Sequence, residues 1–203
     1  MPKLSDQFGA IDIYLFDQLL RDRIVPGHRV LDVGCGPGRN LEYMLRSGFV
    51  VHAGAVDEEC VSRVRALVAQ LAPKLEGERV HLARLEALPF ADDAFDAVIV
   101  IAVLHFARDL RHFEEMLAEL VRVIAPGGMF LARVASDIGL ESAVHPLGDG
   151  RYTLPDGTDR FLVNEKMRLD WTERAGATLL DPIKTTNVQG TRCMTTWTVR
   201  LPA

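Results

Sequence analysis

Three glycines stand at alternate positions in residues 31 to 45, LDVGCGPGRNLEYML, between an apolar run and a helical pattern. The segment RVLDV is short and apolar, so it predicts a buried strand. From Arg39 onward Leu41, Met44 and Leu45 recur at helical spacing until Gly48 stops the run. A strand, a glycine turn and a helix in this order commit the chain to an α/β unit whose turn approaches a ligand closely, because glycine has no side chain to block it.

Two cofactor classes compete for such a turn. A dinucleotide site wants G-x-G-x-x-G, with the helix N-terminus facing a pyrophosphate. Gly34 and Gly36 fit that start, but Arg39 takes the third glycine's place and the next glycine comes one residue early, at Gly38. The carboxylate of Asp32 also favours a cationic ligand and repels phosphate.

The alternation of segments predicts a parallel sheet covered on both faces. A first helix is expected from Ser5 to about Arg23, with Ile11, Tyr14, Leu15, Leu19 and Leu20 on its apolar side. Helices are expected over about 39–47, 58–72, 109–124 and, capped by Asn164, up to about Ala175. Strands two to five are read in FVVHAGAV, RVHLAR, FDAVIVIAV and MFLARVA. Residues 136–163 form an irregular insertion with a Pro-Asp-Gly hairpin, and ATLLDPIK and CMTTWTVRL pair as a closing antiparallel hairpin across TTNVQGTR.

The stretch Asp32, Gly34, Gly36, Gly38 resembles the first motif of class I S-adenosylmethionine-dependent methyltransferases, an acid two residues before G-x-G-x-G. RLEALPFADDAFDAVIVIAVLHF (84–106) and the APGG turn extend the resemblance, which is nearest to the tellurite-resistance-like and ubiquinone-biosynthesis-like groups. It implies a Rossmann-like three-layer α/β sandwich with a seven-stranded, mostly parallel sheet, an antiparallel last strand and helices on both faces. The implied cofactor is S-adenosyl-L-methionine, with Asp32 beside its cationic methionine portion and the glycine backbone along it; Cys35, as a small residue in the turn, Asn40 and Ile101 join this expected set. The resemblance also implies an acid near the end of strand three for the adenine amino group. Arg84 and Leu85 stand there, with Glu86 one step later, so adenine is read by backbone at Leu85 or by Glu86.

Asp57 lies after strand two, where a carboxylate accepts bonds from ribose hydroxyls or simply starts a helix, and Glu58 beside it joins the expected cofactor-binding set with the same alternative. His105 follows strand four at the ligand-binding edge and is read as a general base, a pocket wall or a structural residue. Methyl transfer often needs only alignment and desolvation. An anionic methyl acceptor is expected between Arg133 and Arg192, which topology places at one sheet edge, with help from Arg151 and Arg160 and with Tyr14 of an N-terminal lid. Phe16 is a second lid candidate.

With 203 residues and 48% apolar content the chain suffices for one domain over 1–203, in which 1–23 is the lid helix and 136–163 lies on the substrate side. A net charge of −5 argues against nucleic acid as partner. The absence of a long apolar run argues against a membrane span, and a cytoplasmic monomer or homodimer is expected. Cys35, Cys60 and Cys193 are widely spaced, so neither disulfide nor metal is indicated. A cofactor-binding module without turnover and a nicotinamide-dependent oxidoreductase remain as alternatives.

Overall fold

The computed structural model describes residues 3–75 and 78–203; Met1, Pro2, Glu76 and Gly77 lie outside. The expected first helix is two: α1 (Leu4–Phe8) and α2 (Ile13–Leu20). The chain breaks at Gly9, and the carboxylate of Asp12 caps α2 by accepting the Tyr14 amide at 3.0 Å, so Ser5 is inside α1 rather than at a cap.

Strand β1 (Arg29–Val33) is followed by α3 (Leu41–Arg46), β2 (Val50–Ala55), α4 (Glu58–Leu71), β3 (Val80–Leu82), β4 (Phe95–Ile101), a 3-10 turn (Leu104–Phe106) and α5 (Leu110–Val123). Then come β5 (Ile124–Ala135), β6 (His145–Gly148), β7 (Arg151–Thr153), β8 (Asp159–Phe161), α6 (Glu165–Arg174), β9 (Thr178–Leu179), β10 (Lys184–Val188) and β11 (Arg192–Arg200). The main sheet runs β10-β11-β5-β4-β1-β2-β3, with β9 added on β11. Strands β5, β4, β1, β2 and β3 are parallel to one another, and β11 lies antiparallel to both β5 and β10.

Side chains alternate across the sheet and so build two cores. Val30, Ala97, Ile99 and Leu131 pack with Leu15 of α2, Leu41 and Met44 of α3 and Val64 of α4. Leu31, Val98, Phe130 and Trp197 pack on the other face with Phe113 and Leu117 of α5 and Trp171 of α6. Trp197 is fully buried and donates through Nε1 to Thr172 at 3.2 Å. Replacing it by alanine should cost about 3–5 kcal/mol.

The closing hairpin is displaced from its expected position. TTNV belongs to β10 rather than to the connection, and ATLLDPIK divides into the two-residue β9 and the start of β10. At the break Asp181 turns aside to Arg23 (2.5 Å) and Gln18 (3.2 Å), and Pro182 has no amide to give to a ladder. The insertion carries a three-stranded antiparallel sheet, β6-β7-β8, around the expected Pro-Asp-Gly turn. Among the described residues no helix is long and apolar enough to cross a membrane.

Candidate functional site

Open parallel sheets bind ligands at the carboxyl ends of their strands. Here that edge holds two adjoining concavities. The first, about 340 Å³, lies over Gly34 and Gly36 and extends past Asp57, Cys60, Arg84, Leu85, Glu86, Arg108 and His112. The second, about 480 Å³, is lined by Ile101, His105, Leu154, Met194 and a group of arginines. Ala102 and Phe106 wall both. Ala102 sits at the end of β4 with φ +61, a conformation costly for a residue with a side chain, and its amide donates to the Arg133 carbonyl at 2.8 Å.

The three glycines divide their work. A Cβ on Gly34 would meet Val103 Cγ2 at 2.3 Å, and one on Gly38 (φ +87) would meet Leu67 Cδ2 at 2.9 Å, so these two let the turn close on its neighbours. A Cβ on Gly36 (φ +52) would meet nothing within 4 Å. That open space faces the first cleft. Behind the turn, Asp32 is 1% exposed, lines neither concavity, and its Oδ2 has no hydrogen-bond partner among the described residues. Burial pushes its carboxyl up to about 7, against the opposing pull of the Arg39 charge and the Asn40 side chain. A buried carboxylate oxygen without a partner suits a cationic ligand group.

Asp57 reaches the cleft while capping α4, its Oδ1 accepting the Cys60 amide at 2.7 Å; that bond holds its carboxyl below the usual range. Glu58 is exposed in the first turn of α4 and does not line the cleft, as a residue favoured there by the helix dipole alone. Cys35, Gly38 and Asn40 also stand back from it: Cys35 is buried with its amide on the Gly54 carbonyl (3.1 Å), and Asn40 Oδ1 accepts the Asp12 amide at 3.0 Å. Ile101 faces the second cavity rather than the first.

At the far end of the first cleft Glu86 Oε1 lies 3.4 Å from His112 Nε2 and 3.9 Å from Arg84. His112 Nδ1 accepts the Arg108 amide at 3.1 Å, which places the proton of the neutral ring on Nε2, facing Glu86. Burial pulls the Glu86 carboxyl up, but its own amide, His112 and Arg84 outweigh that and leave it below the usual range. His112, Arg108, Phe106 and Ala102 were not singled out for binding from the sequence. The available signal was their position just beyond strand four, at the edge where ligands bind.

The second cavity gathers Arg39, Arg133, Arg160 and Arg192 against one lining acid, Asp156. Arg133 lines this cavity, but its guanidinium is engaged by the protein itself. It is ion-paired with the buried Asp12, which Arg39 also approaches at 3.5 Å, and its guanidinium lies 4.7 Å over the Tyr14 ring. Tyr14 in turn bonds Thr186 at 2.9 Å and so fastens α2 to β10, and it does not line either concavity. Phe16 packs on Phe8 and Tyr43, with ring centroids 4.8 and 6.0 Å away, away from both clefts. Arg151 is likewise not among the lining residues. In the β7–β8 ladder it pairs with Phe161, one step from the Tyr152–Arg160 pair, and neighbouring positions face opposite ways. Arg160 does reach the cavity, 4.9 Å over the Phe106 ring, and Arg192 lines it with no side-chain hydrogen bond or ion pair to the described residues. His105 lines the same cavity, its Nδ1 accepting the Ala135 amide at 3.2 Å. No cluster of three metal-ligating side chains occurs among the described residues.

Comparison with known proteins bears on this edge. Residues 31–132 match the family described as a methyltransferase domain. The phthiotriol/phenolphthiotriol dimycocerosates methyltransferase 1 of Mycobacterium ulcerans (strain Agy99) is 30% identical over 129 residues, covering 64% of this chain and 45% of that protein. The chain therefore spans less than half the length of this curated relative. Among solved structures, a SAM-dependent methyltransferase from Methanosarcina mazei superposes with a TM-score of 0.73 at 16% identity, covering 91% of this chain and 97% of that one. The Burkholderia thailandensis 1,6-didemethyltoxoflavin-N1-methyltransferase, solved with 1,6-didemethyltoxoflavin and S-adenosylhomocysteine, gives 0.68 at 19% identity, covering 99% and 82%. The family match covers half of the chain and contains β1 from Leu31 on, the glycine turn and strands β2 to β4, and on it the chain belongs to the methyltransferase domain family, of the class I, S-adenosylmethionine-dependent kind.

Proposed function

We propose that the chain binds S-adenosyl-L-methionine in the first cleft and transfers its methyl group to a small anionic molecule in the second cavity. The carrying observation is the shared wall: Ala102 and Phe106 join a cleft floored by Gly36 to a cavity lined by arginines. The cofactor supplies an activated sulfonium methyl group. Asp32, with its unpartnered buried oxygen, fits the ammonium-bearing end, Gly36 leaves room for close backbone approach, and Asp57 accepts from ribose hydroxyls. Glu86, steadied by His112, takes the adenine amino group, with Arg84 offset to the exposed side (72% of its side chain). Of the four arginines expected to hold the anion, Arg160 and Arg192 are the two left to do so, since Arg133 is ion-paired with Asp12 and Arg151 does not line the cavity.

Calorimetric titration with S-adenosylhomocysteine, against a nicotinamide dinucleotide as control, tests the cofactor half. Binding of the first alone is expected; binding of the dinucleotide instead would overturn it. Methyl transfer from labelled cofactor across a panel of small acids then separates an enzyme from a binding module without turnover.

A further inference from the structure

The arginine-lined cavity offers donors and no base. His105 Nδ1 is committed to the Ala135 amide, so the neutral ring carries its proton on Nε2 and enters the cavity as a donor. Burial, then the nearby Arg160 charge, lower its pKa to about 4, which keeps the ring neutral at physiological pH. The other titratable groups lining the cavity are Arg39, Arg133, Arg160, Arg192, Asp156 and Cys193. The Asp156 carboxylate, at the hairpin tip, already accepts from Thr158 Oγ1 (2.6 Å) and N (3.0 Å), and those bonds hold it below the usual carboxylate range. Burial pushes the Cys193 thiol up. Among the described residues lining the cavity, none is placed to take a proton from an acceptor at neutral pH.

We propose that Arg160 and the Nε2–H of His105 form an oxyanion-holding pair beside the cofactor cleft, and that the acceptor is a carboxylate, methylated to an ester without a general base. This rests on the methyl-transfer reading of the site. Arg160 stands over Phe106, the ring shared by both concavities, so an anion held there lies next to the cofactor cleft. A carboxylate oxygen uses a lone pair to form the O–C bond; the C–S bond breaks with its electrons remaining on sulfur, which becomes a neutral thioether, and no proton moves. An anion and a cation thus become two neutral products, a reaction that a desolvated site favours. The guanidinium fork suits a carboxylate, and Ile101, Leu154 and Met194 suit an apolar remainder. An amine acceptor would arrive protonated among arginines and would need a base that the cavity does not offer.

The test is ligand-observed NMR titration of the protein saturated with S-adenosylhomocysteine, using benzoate with benzamide and octanoate with octanamide. Each carboxylate is expected to bind at least about tenfold more tightly than its amide, a ratio that stays flat between about pH 6 and pH 9. Arg160→Gln should bring each pair to within about twofold. His105→Leu should weaken the carboxylate, and His105→Gln, which returns an N–H near the Nε2 position, should restore most of the loss. S-adenosylhomocysteine affinity, measured on each variant, reports whether the fold and the first cleft are intact. Equal affinity for acid and amide, or no carboxylate binding to the saturated protein, would overturn the proposal. Failure of S-adenosylhomocysteine itself to bind would instead bring down the methyl-transfer reading on which it rests.

Discussion

Arg133 on β5 is ion-paired with Asp12, the cap of α2, across 121 positions of sequence. The aspartate is 3% exposed and the arginine 16%, and Arg39 and Asn40 converge on the same residue from the turn beside the glycines. The pair ties the N-terminal helix to the floor of the second cavity. An arginine that topology offers to a substrate is thereby occupied by the protein.

Breaking that tie should be costly. Asp12→Ala leaves a largely buried guanidinium unpaired and removes a helix cap, and is expected to lower the unfolding free energy by about 3 kcal/mol in denaturant titration. Because Leu15 of α2 is in the core, deletion of residues 1–20 should destabilise the whole protein as well as weaken cofactor binding. A truncated chain with unchanged stability would show α2 to be a detachable cover.

Asp32 predicts a pH effect whose sign is opposite to that of an ordinary paired carboxylate. Its folded value, about 7, lies above the 3.8 of the free side chain, so the folded state holds the proton more tightly. Stability of the unliganded protein should therefore fall as pH rises from about 4 toward 7 and stay low above it. A ligand ammonium group beside Asp32 reverses the balance by favouring the ionised form. S-adenosylhomocysteine binding near pH 6 should release close to one proton, seen as a dependence of the calorimetric heat on buffer ionisation enthalpy. Asp32→Asn should stabilise the unliganded protein at alkaline pH while weakening ligand binding; no gain in stability there would refute the burial argument.

Gly36 and Gly38 should separate binding from folding. Gly38→Val drives a branched side chain into Leu67 and Val64 at positive φ and should cost about 2 kcal/mol or more. Gly36→Val shares the φ penalty but meets open space, so its larger effect should be the loss of cofactor affinity. Equal loss of affinity in the two variants at matched stability would contradict this division.

Asp57 caps α4 and lines the first cleft, and two substitutions tell the cap from the proposed ribose contact. Asp57→Ala should lose both, weakening S-adenosylhomocysteine binding by roughly tenfold or more. Asp57→Asn keeps a good cap and should hold the thermal midpoint while still losing affinity. Unchanged affinity in both would leave Asp57 as a helix cap only.

Much of this molecule is determined by its sequence alone. The strand, glycine turn and helix around Asp32, the buried strands β4 and β5 and the Asn164 cap follow from signals only a few residues long, apolar period, capping chemistry and glycine spacing, whereas the last strand's reversal against β5 is implied by the family resemblance. The tertiary structure decided which polar side chains are available. Arg133 and Arg160 are equally arginine in the sequence, but the first meets Asp12 from the far end of the chain while the second stands over Phe106. Arg151 misses the cavity because hairpin register, with its period of two, decides which face a strand residue takes. His105 becomes a donor because β5 presents the Ala135 amide to its Nδ1. The first strand of the closing hairpin lies in TTNV rather than ATLLDPIK because Asp181 has partners in α2 and in Arg23, contacts between residues more than 150 positions apart that no local pattern encodes.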